Sequence, residues 1–254
     1  MEKKIAIITG ATGGMGREFT RLMLNENVDE IWAIARNSGK LEELRSEFGE
    51  KIVPIAKDMS QTSELIDIEN MLHEQNADVV YLINNAGLAK MGSYKDFTAE
   101  EIDCTVNINC KTPAVMCTIC IPYMKKGGRI LNISSASSFQ PLPYLNLYSA
   151  TKVFLKNYSR ALNVELKGTG ITATAVCPSW VDTDLLMKEV NGKPVKFDGL
   201  ISPQRACKKA LKDAKRGKDM SVCTVYVKWE HLLAKIFPQK TVMKTWLRKI
   251  KGYF

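Results

Sequence analysis

Residues 3–22 of the chain read KKIAIITGATGGMGREFTRL. The run at 5–8 is short, apolar and rich in β-branched residues, as in a buried strand. Glycines follow at once, and an amphipathic segment begins at Arg17. Glycines at a strand-to-helix turn let a ligand approach the backbone, and the first N–H groups of the helix can bind a pyrophosphate. The stretch therefore predicts a strand, a phosphate-binding turn and a helix.

Strand and helix patterns alternate along the rest of the chain. We interpret as strands the apolar runs at 31–34, 52–55, 79–83, 129–133, 171–176 and 223–227. Segments of helical length lie between them, at 41–48, 63–75, 100–124, 148–167 and 203–216. Apolar strands separated by helices indicate a parallel sheet that is covered on both faces. We expect an α/β fold of the Rossmann type, doubly wound, with a mostly parallel seven-stranded sheet.

Composition limits the class of protein. The chain has 254 residues, of which 45% are hydrophobic and 25% are charged. This is enough for one large domain and too apolar for a mostly disordered chain. The apolar run at 5–8 is too short for a secretion signal, and no stretch reaches the length of a membrane span. Seven cysteines, an odd number scattered through apolar segments, fit a reducing compartment. We expect a cytoplasmic protein.

Cys117 and Cys120 form a C-x-x-C pair inside a segment of helical length. No second pair lies nearby to complete a zinc site, and only His73 and His231 could add imidazole ligands. We interpret both thiols as helix-packing groups and expect no metal site.

The residue after the second strand bears on the choice of cofactor. A site for NAD usually has an acid here that binds the ribose hydroxyls, whereas an arginine suits the 2′-phosphate of NADP. Arg36 occupies this position, and no aspartate stands beside it. The sequence therefore favours NADP(H), and Arg17 is either a second cation for the phosphate or a solvated helix charge.

Tyr148 and Lys152 are four residues apart, so they share one face of the predicted helix. An ammonium group at that spacing can lower the pKa of a phenol, which can then exchange a proton with an alcohol or alkoxide. Structural pairs of this kind are common, and the pair alone does not decide for catalysis.

In combination, these motifs resemble the short-chain dehydrogenase/reductase family, in its shorter single-domain branch. The resemblance is close over about residues 3–184 and weaker as far as 218. It rests on Thr9-Gly10-x-x-x-Gly14-x-Gly16, Asp58, Asn84-Asn85-Ala86-Gly87, Ser135 and Tyr148-x-x-x-Lys152. The family has a further catalytic asparagine, for which Asn107 and Asn109 compete. The family's spacing of thirteen residues before Pro122 selects Asn109.

The resemblance implies catalytic residues Asn109, Ser135, Tyr148 and Lys152. It also implies a cofactor site with these members: Thr9, Gly10, Thr12, Gly13, Gly14, Met15, Gly16, Arg36, Asn37, Asp58, Met59, Asn85, Ala86, Gly87, Tyr148, Lys152, Pro178, Ser179, Val181 and Thr183. One position departs from the family's pattern, because Ser179 replaces the usual glycine of the Pro-Gly-x-Val-x-Thr motif. The path of that loop and the size of the nicotinamide pocket are therefore open.

The expected activity is NADP(H)-dependent interconversion of a ketone and a secondary alcohol by hydride transfer. Tyr148 would be the general acid/base, Lys152 would tune it and bind the nicotinamide ribose, Ser135 would hold the carbonyl oxygen, and Asn109 would support a water chain. A non-catalytic NADP(H)-sensing or partner-binding protein on the same fold is the alternative.

In the family, residues at 139–145 and 184–187 would form the substrate walls. Their apolar side chains favour a bulky hydrophobic substrate, such as a hydroxysteroid-like, long-chain 3-oxoacyl or aromatic compound.

The C-terminal residues carry the excess charge. The net charge of the chain is +9, and residues 203–254 contain 14 basic and 3 acidic residues. Apolar residues recur at helical spacing from Trp229 to Ile250, with an interruption at Pro238. We divide the chain into one domain, 1–227, and an amphipathic basic extension, 228–254. The extension could pack on the domain or on another subunit of a homodimer or homotetramer, touch a membrane surface, or bind an acidic substrate or carrier. The sequence shows no pattern that is typical of nucleic-acid binding.

Overall fold

The structure, a computed structural model, describes residues 2–186, 188–190 and 192–253. Its strands are β1 (Lys3–Thr9), β2 (Glu30–Ala35), β3 (Ile52–Ala56), β4 (Ala77–Asn84), β5 (Arg129–Ile133), β6 (Thr172–Cys177), β7 (Glu189–Val190), β8 (Lys193–Pro194) and β9 (Met220–Val222). Its α-helices are α1 (Gly14–Met23), α2 (Ser38–Phe48), α3 (Thr62–Glu74), α4 (Ala99–Val106), α5 (Thr112–Cys120), α6 (Asn146–Glu165), α7 (Pro203–Lys215), α8 (Val225–Ile236) and α9 (Gln239–Ile250).

Seven strands form one parallel sheet in the order β3-β2-β1-β4-β5-β6-β9. The predicted doubly wound α/β fold is confirmed. The chain leaves β1 toward β2 on one side and returns to β4 on the other, so the strand order reverses beside β1. A reversal of this kind opens a crevice at the carboxyl ends of the strands, where ligands bind.

Side chains of β1 alternate between the two faces of the sheet. Ile5 and Ile7 join a buried cluster with α3, α5 and α6, whereas Ala6 and Ile8 join a second cluster with α1, α2 and α7. All four are fully buried. Burial of a large apolar side chain stabilises the fold by roughly 1.5–3 kcal/mol, so these two layers fix β1, and with it the turn that follows.

The seventh strand differs from the prediction. The apolar run at 223–227 is not a strand: the edge strand is Met220–Val222, and helix α8 begins at Val225. Thr224 accounts for the change, because its hydroxyl accepts a hydrogen bond from the Val227 N–H at 3.2 Å and caps the helix. The helix spans the predicted boundary at 227/228.

The predicted long helix at 100–124 contains a π-helical turn, Asn107–Lys111, between α4 and α5. Pro113 lacks an N–H group and cannot continue the regular hydrogen-bond ladder. The backbone N–H of Thr112 bonds to the Asn107 carbonyl instead, five residues back. Such π-turns in helices are frequent at functional sites.

Cys117 and Cys120 both lie fully buried in α5. Burial raises the pKa of the Cys117 thiol to about 12 and holds that of Cys120 well above its ordinary value. Both thiols are therefore protonated at neutral pH, and the Cys117 sulfur also accepts a hydrogen bond of 3.6 Å from the Asn84 side-chain amide. Within 2–186, 188–190 and 192–253, no helix has both the length and the apolar character that crossing a bilayer requires.

Candidate active site

A cavity of about 1120 Å³ lies at the carboxyl ends of the central strands. One end is lined by the glycine turn between β1 and α1, and the middle by Ser135, Tyr148 and Lys152. The other end is lined by residues of α8 and α9. The cavity therefore joins a phosphate-binding turn to a group of proton-transfer side chains in one continuous space.

The glycine turn is packed against the segment that follows β4. The Thr9 hydroxyl accepts hydrogen bonds from the backbone N–H groups of Asn85 and Ala86, at 3.0 and 3.1 Å. Gly10 has φ +64°, and a Cβ there would come within 2.9 Å of the Ala86 Cα. A Cβ on Gly16 would collide with the Gly10 carbonyl oxygen. Only glycines allow this close approach, which shapes the backbone into a cradle.

Helix α1 points its first turn at this cradle, because Gly13, Gly14 and Met15 all line the cavity. No side chain caps the helix start. The unpaired N–H groups of a helix N-terminus, together with the helix dipole, favour a bound phosphate group. The backbone cradle and the helix N-terminus therefore fit the pyrophosphate of a dinucleotide.

Arg36 lies exposed directly after β2 and lines the same end of the cavity. Arg17 does not line it: its guanidinium pairs with Glu47 of α2 and lies over the Phe48 ring, 5.7 Å from the centroid. Of the two arginines that the sequence offered for a 2′-phosphate, Arg36 is the one at the cavity.

Two residues predicted to contact the cofactor make hydrogen bonds within their own turns. Asn37 caps α2 by accepting a hydrogen bond from the Lys40 N–H at 2.9 Å, and Asp58 accepts one from the Ser60 N–H at 3.0 Å. Neither is among the lining residues, whereas Lys57, which the sequence analysis missed, is. The signal for Lys57 is its place at the carboxyl end of β3, two residues after the predicted strand.

Tyr148 and Lys152 lie on one face of α6, as the spacing predicted. The Lys152 Nζ lies 5.5 Å from the centroid of the Tyr148 ring and donates a hydrogen bond of 2.8 Å to the Ile133 carbonyl oxygen. The lysine is only 3% exposed. The last residue of β5 thus fixes an ammonium group against the tyrosine.

The pKa values of this pair depend chiefly on burial. Burial raises the pKa of Tyr148, while its hydrogen bond with the Ser135 hydroxyl acts in the opposite direction. Burial also lowers the pKa of Lys152 to about 8. Loss of solvation is the larger of these effects on Tyr148, so its pKa lies above the ordinary value and not below it as the sequence predicted. At neutral pH the phenol keeps its proton.

Asn107 and Asn109 were the two candidates for the family's catalytic asparagine, and Asn109 is the one that lies at the site. It is fully buried in the π-turn, and its side chain bonds to both the N–H and the carbonyl of Leu88, each at 2.9 Å. A Cβ on Gly87 would lie 3.3 Å from the Lys152 Nζ and 3.4 Å from the Asn109 Oδ1. The lack of a side chain at Gly87 thus avoids a close contact with both groups. Asn107 instead bonds to Asp103 on the helix exterior.

Ser179, which replaces the family's glycine, has a hydrogen-bond partner within the protein. Its hydroxyl donates a hydrogen bond of 2.9 Å to the Gly199 carbonyl, and the nearby Val181 bridges to Ile201. Ser179 therefore ties the loop after β6 to the segment before α7, and its side chain has a hydrogen-bond partner on the wall of the cavity.

Most of the predicted site residues line the cavity together. They are Gly10, Thr12, Gly13, Gly14, Met15, Arg36, Met59, Asn85, Ala86, Gly87, Ser135, Tyr148, Lys152, Pro178, Ser179, Val181 and Thr183. Among the predicted residues, those outside the lining are Thr9, Gly16, Asn37, Asp58 and Asn109. Thr9, Gly16 and Asn109 shape the backbone behind it, as described above.

Both predicted substrate walls contribute to the cavity, through Leu142, Leu145, Leu185 and Leu186 among others. Met187, the last residue of one predicted wall, lies outside the described residues. The sequence analysis missed the further wall that α8 and α9 supply. Its members include Leu233, Phe237, Val242, Trp246 and Ile250.

Helix α9 is anchored to the domain beside the site. The Trp246 Nε1 donates a hydrogen bond of 2.8 Å to the Pro143 carbonyl, and Ile250 is buried. In α8, His231 stacks on Phe139 with ring centroids 4.0 Å apart. Phe139 ends the short 3₁₀ turn that follows Ser135. The two C-terminal helices therefore close one side of the space in front of Tyr148.

The sequence profile of the family described as short chain dehydrogenase matches residues 4–194. The chain belongs to the short-chain dehydrogenase family. The matched range contains the glycine turn, Asn109, Ser135, Tyr148 and Lys152, and it ends before α7. The C-terminal helices that complete the cavity lie beyond the match.

Relatives of this short-chain dehydrogenase include oxidoreductases with named activities. A very-long-chain 3-oxoacyl-CoA reductase from Anas platyrhynchos is 31% identical over 193 residues, which are 71% of this chain and 60% of the relative.

Two solved structures bear on the cofactor. The 3-ketoacyl-(acyl-carrier-protein) reductase from Brucella melitensis, complexed with NADH, has a TM-score of 0.75 and 26% identity over 88% of this chain and 97% of its own. A short-chain dehydrogenase from Sphingobium yanoikuyae, in complex with NADPH, has a TM-score of 0.76 and 25% identity over 95% of both chains. A nicotinamide dinucleotide is thus the ligand of both structural neighbours.

The packing of the glycine turn leads to a direct test. In Gly16→Ala, the added methyl group would occupy the position of the Gly10 carbonyl oxygen, so the turn must open. We expect the affinity for NADPH and NADH, measured by fluorescence titration, to fall at least tenfold. Gly252→Ala is the matched control, because none of the described atoms outside its immediate neighbours lies within 4 Å of the added Cβ. Dinucleotide affinity within twofold of the original in Gly16→Ala would contradict this assignment.

Proposed function

We propose that the protein is an NADP(H)-dependent oxidoreductase that interconverts a bulky hydrophobic ketone and the corresponding secondary alcohol. The observation that supports this most directly is the placement of Ser135, Tyr148 and Lys152 on the wall of the cavity that contains the glycine cradle. A dinucleotide laid along that cavity from the cradle would bring its far end to the tyrosine.

The bound nicotinamide would supply the hydride in reduction and accept it in oxidation. The chain's own task is to position the substrate and move one proton. In reduction, Tyr148 donates its phenolic proton to the oxygen of the carbonyl, and its raised pKa keeps that proton in place until negative charge develops there. The Ser135 hydroxyl, which bonds to the phenol, is the second donor for the same oxygen.

Lys152 supplies positive charge beneath the phenol. Below its pKa of about 8 it is an ammonium, which stabilises the phenolate that remains after proton donation. The Lys152 Nζ and the Asn109 Oδ1 are polar atoms next to Gly87, which has no side chain that could cover them. We assign these two groups to the route along which Tyr148 regains its proton.

The preference for NADP(H) rests on Arg36. Its guanidinium is exposed at the end of β2 and lines the cavity beside the cradle. Arginine binds a phosphate through charge-assisted, paired hydrogen bonds, and a ribose hydroxyl offers no such charge. Lys57 adds a second cation at this end, although Glu64 and Asp67 lie 3.0 and 2.5 Å from its Nζ and partly offset its charge.

The apolar lining around Tyr148 supports a bulky hydrophobic substrate. Leucines at 142, 145, 185 and 186 and the aromatic side chains of Trp180, Phe197 and Trp246 surround this part of the cavity. Apolar walls with a few polar groups at the reacting centre are typical of sites for hydrophobic ligands. The name of the Anas platyrhynchos relative, a very-long-chain 3-oxoacyl-CoA reductase, is in keeping with such a substrate.

We also propose that the protein forms a homodimer or homotetramer. Ile102 and Val106 on α4 and Phe154 on α6 are 42%, 40% and 44% exposed, on two helices that pack against each other. Exposed apolar side chains that cluster on neighbouring helices favour a contact with a second subunit.

Tyr148→Phe tests the catalytic proposal. It removes the proton donor but keeps the ring, so we expect NADPH affinity within twofold of the original and ketone reduction slower by at least about 10²-fold. Tyr158→Phe on the same helix is the matched control, because the Tyr158 hydroxyl bonds to the Ala114 carbonyl away from the cavity. NADPH oxidation across a panel of hydrophobic ketones measures the rates. Turnover of Tyr148→Phe within threefold of the original would remove Tyr148 from the mechanism, and a lack of turnover by the original protein on every ketone would favour a non-catalytic role.

Arg36→Asp tests the cofactor proposal. The change replaces a cation with an anion where we place the 2′-phosphate, so we expect the ratio of NADPH to NADH affinity to fall at least tenfold. Lys40→Asp makes the same change in charge one turn into α2, at an exposed residue outside the cavity lining. An unchanged cofactor ratio in Arg36→Asp, or an equal shift in both variants, would contradict the assignment.

A further inference from the structure

Helix α8 has two apolar faces, of which only one faces the cavity. Leu233, Ala234 and Phe237 line the cavity, and Val227 beside them is fully buried. Val225, Trp229, Leu232 and Ile236 recur at the spacing of one helical face and form what we call the α8 ridge. The helix thus buries one apolar face and presents another.

The α8 ridge is exposed to solvent. Val225, Trp229, Leu232 and Ile236 are 69%, 59%, 45% and 65% exposed. Four large apolar side chains in line on one helix form a continuous surface patch rather than scattered exposed residues, and a patch of this kind marks an interaction surface. The charged residues and the cavity opening near the α8 ridge indicate which kind of partner the ridge binds.

Positive charge predominates on α8, which carries the ridge, and on α9, which follows it. Within 225–253 the basic residues are Lys228, Lys235, Lys240, Lys244, Arg248, Lys249 and Lys251, against a single acid, Glu230. Glu230 lies 3.8 Å from Lys249, which lines the cavity, and no ion pair among residues 2–186, 188–190 and 192–253 involves the other six cations. Lys228 and Lys235 flank the ridge on α8 itself, and Lys240, Lys244 and Arg248 follow one exposed face of α9.

The ridge also lies next to an opening of the cavity. Leu233 and Phe237 line the cavity and are nevertheless 44% and 49% exposed, so they stand where it reaches the surface. In the helix they follow Leu232 and Ile236 directly, and the ridge therefore borders this mouth.

We propose that the α8 ridge and the cations of α8 and α9 dock the protein on an anionic lipid bilayer, with the cavity mouth at the lipid surface. An apolar strip beside lysines and arginines matches the interface of such a bilayer, where apolar side chains enter the acyl boundary and cations meet the headgroups. Tryptophan, the largest member of the ridge, is favoured at that depth. A protein partner would have to supply both a large apolar groove and an acidic rim. This docking is independent of the chemistry at Tyr148.

Vesicle sedimentation of the full-length protein tests the proposal. We expect binding to vesicles of phosphatidylcholine mixed with phosphatidylglycerol. Binding should be at least tenfold weaker to phosphatidylcholine alone, and to the mixed vesicles in 0.5 M salt, where the Debye length is about 4 Å rather than the roughly 30 Å at 0.01 M. Absence of binding to the mixed vesicles at low salt would overturn the proposal.

Two double variants, each with a matched control, test whether vesicle binding depends on the ridge and the tail cations or on any exposed apolar or basic residue. Trp229→Ser with Ile236→Ser removes the ridge, and Ile66→Ser with Val164→Ser removes exposed apolar side chains from α3 and α6. Lys240→Gln with Lys244→Gln removes two tail cations, and Lys208→Gln with Lys212→Gln removes two exposed lysines from α7. Because all these residues are on the surface, melting temperatures should change little. We expect the first member of each pair to bind mixed vesicles at least tenfold more weakly and each control to bind within twofold of the original.

Equal losses in variant and control would overturn the proposal, because binding would then be non-specific. Analytical ultracentrifugation tests the other possible partner of the ridge, which is a second copy of this chain. We expect the same oligomeric state for the original protein and for Trp229→Ser with Ile236→Ser. A smaller assembly in that variant, together with unchanged vesicle binding, would assign the ridge to a subunit contact and contradict membrane docking.

Discussion

The arrangement of the site depends on one buried hydrogen bond, from the Lys152 Nζ to the Ile133 carbonyl oxygen. An amine buried to 3% exposure needs a partner, and the last carbonyl of β5 supplies it. The bond fixes the start of α6 against the end of a central strand. Tyr148, one turn earlier on the helix, is thereby held over the same end of the sheet as the glycine turn. Catalytic geometry and sheet topology are linked through this contact.

The second constraint is the close contact between the turn after β1 and the segment after β4. The Thr9 hydroxyl and the two glycines, Gly10 and Gly16, bring these backbones together where the strand order reverses. Such packing needs residues without side chains, and it creates the cradle at the N-terminus of α1. The same parallel sheet positions the cradle and Lys152, so a ligand that spans both must lie across the carboxyl ends of its central strands.

Local sequence patterns were sufficient to predict those parts of the fold where the pattern is compatible with one type of secondary structure. The run at 5–8 followed by glycines can form only a strand and a tight turn, and the four-residue spacing of Tyr148 and Lys152 gives one face of a helix. The edge strand Met220–Val222 was misplaced, because three residues carry little periodicity and the capping hydroxyl of Thr224 outweighs the β-branched character of Val225. Asn37 and Asp58 were predicted from the family's pattern as cofactor contacts, and the structure adds that each also accepts a hydrogen bond from a nearby N–H group. The wall formed by α8 and α9 depends on long-range packing, such as the bond between Trp246 and Pro143, which sequence spacing does not encode.

The most direct test of this account is the pH dependence of kcat/KM for ketone reduction, which reports ionisation in the free enzyme. Burial lowers the pKa of Lys152 to about 8 and raises that of Tyr148, so the lysine is the member of the pair that changes charge first as the pH rises. We expect kcat/KM to fall as the pH increases through about 8, toward tenfold for each further pH unit. In Lys152→Arg the guanidinium keeps its charge, so any activity that remains should lack this decline. A constant kcat/KM from pH 7 to 10, or the same decline in Lys152→Arg, would contradict the role of the buried ammonium.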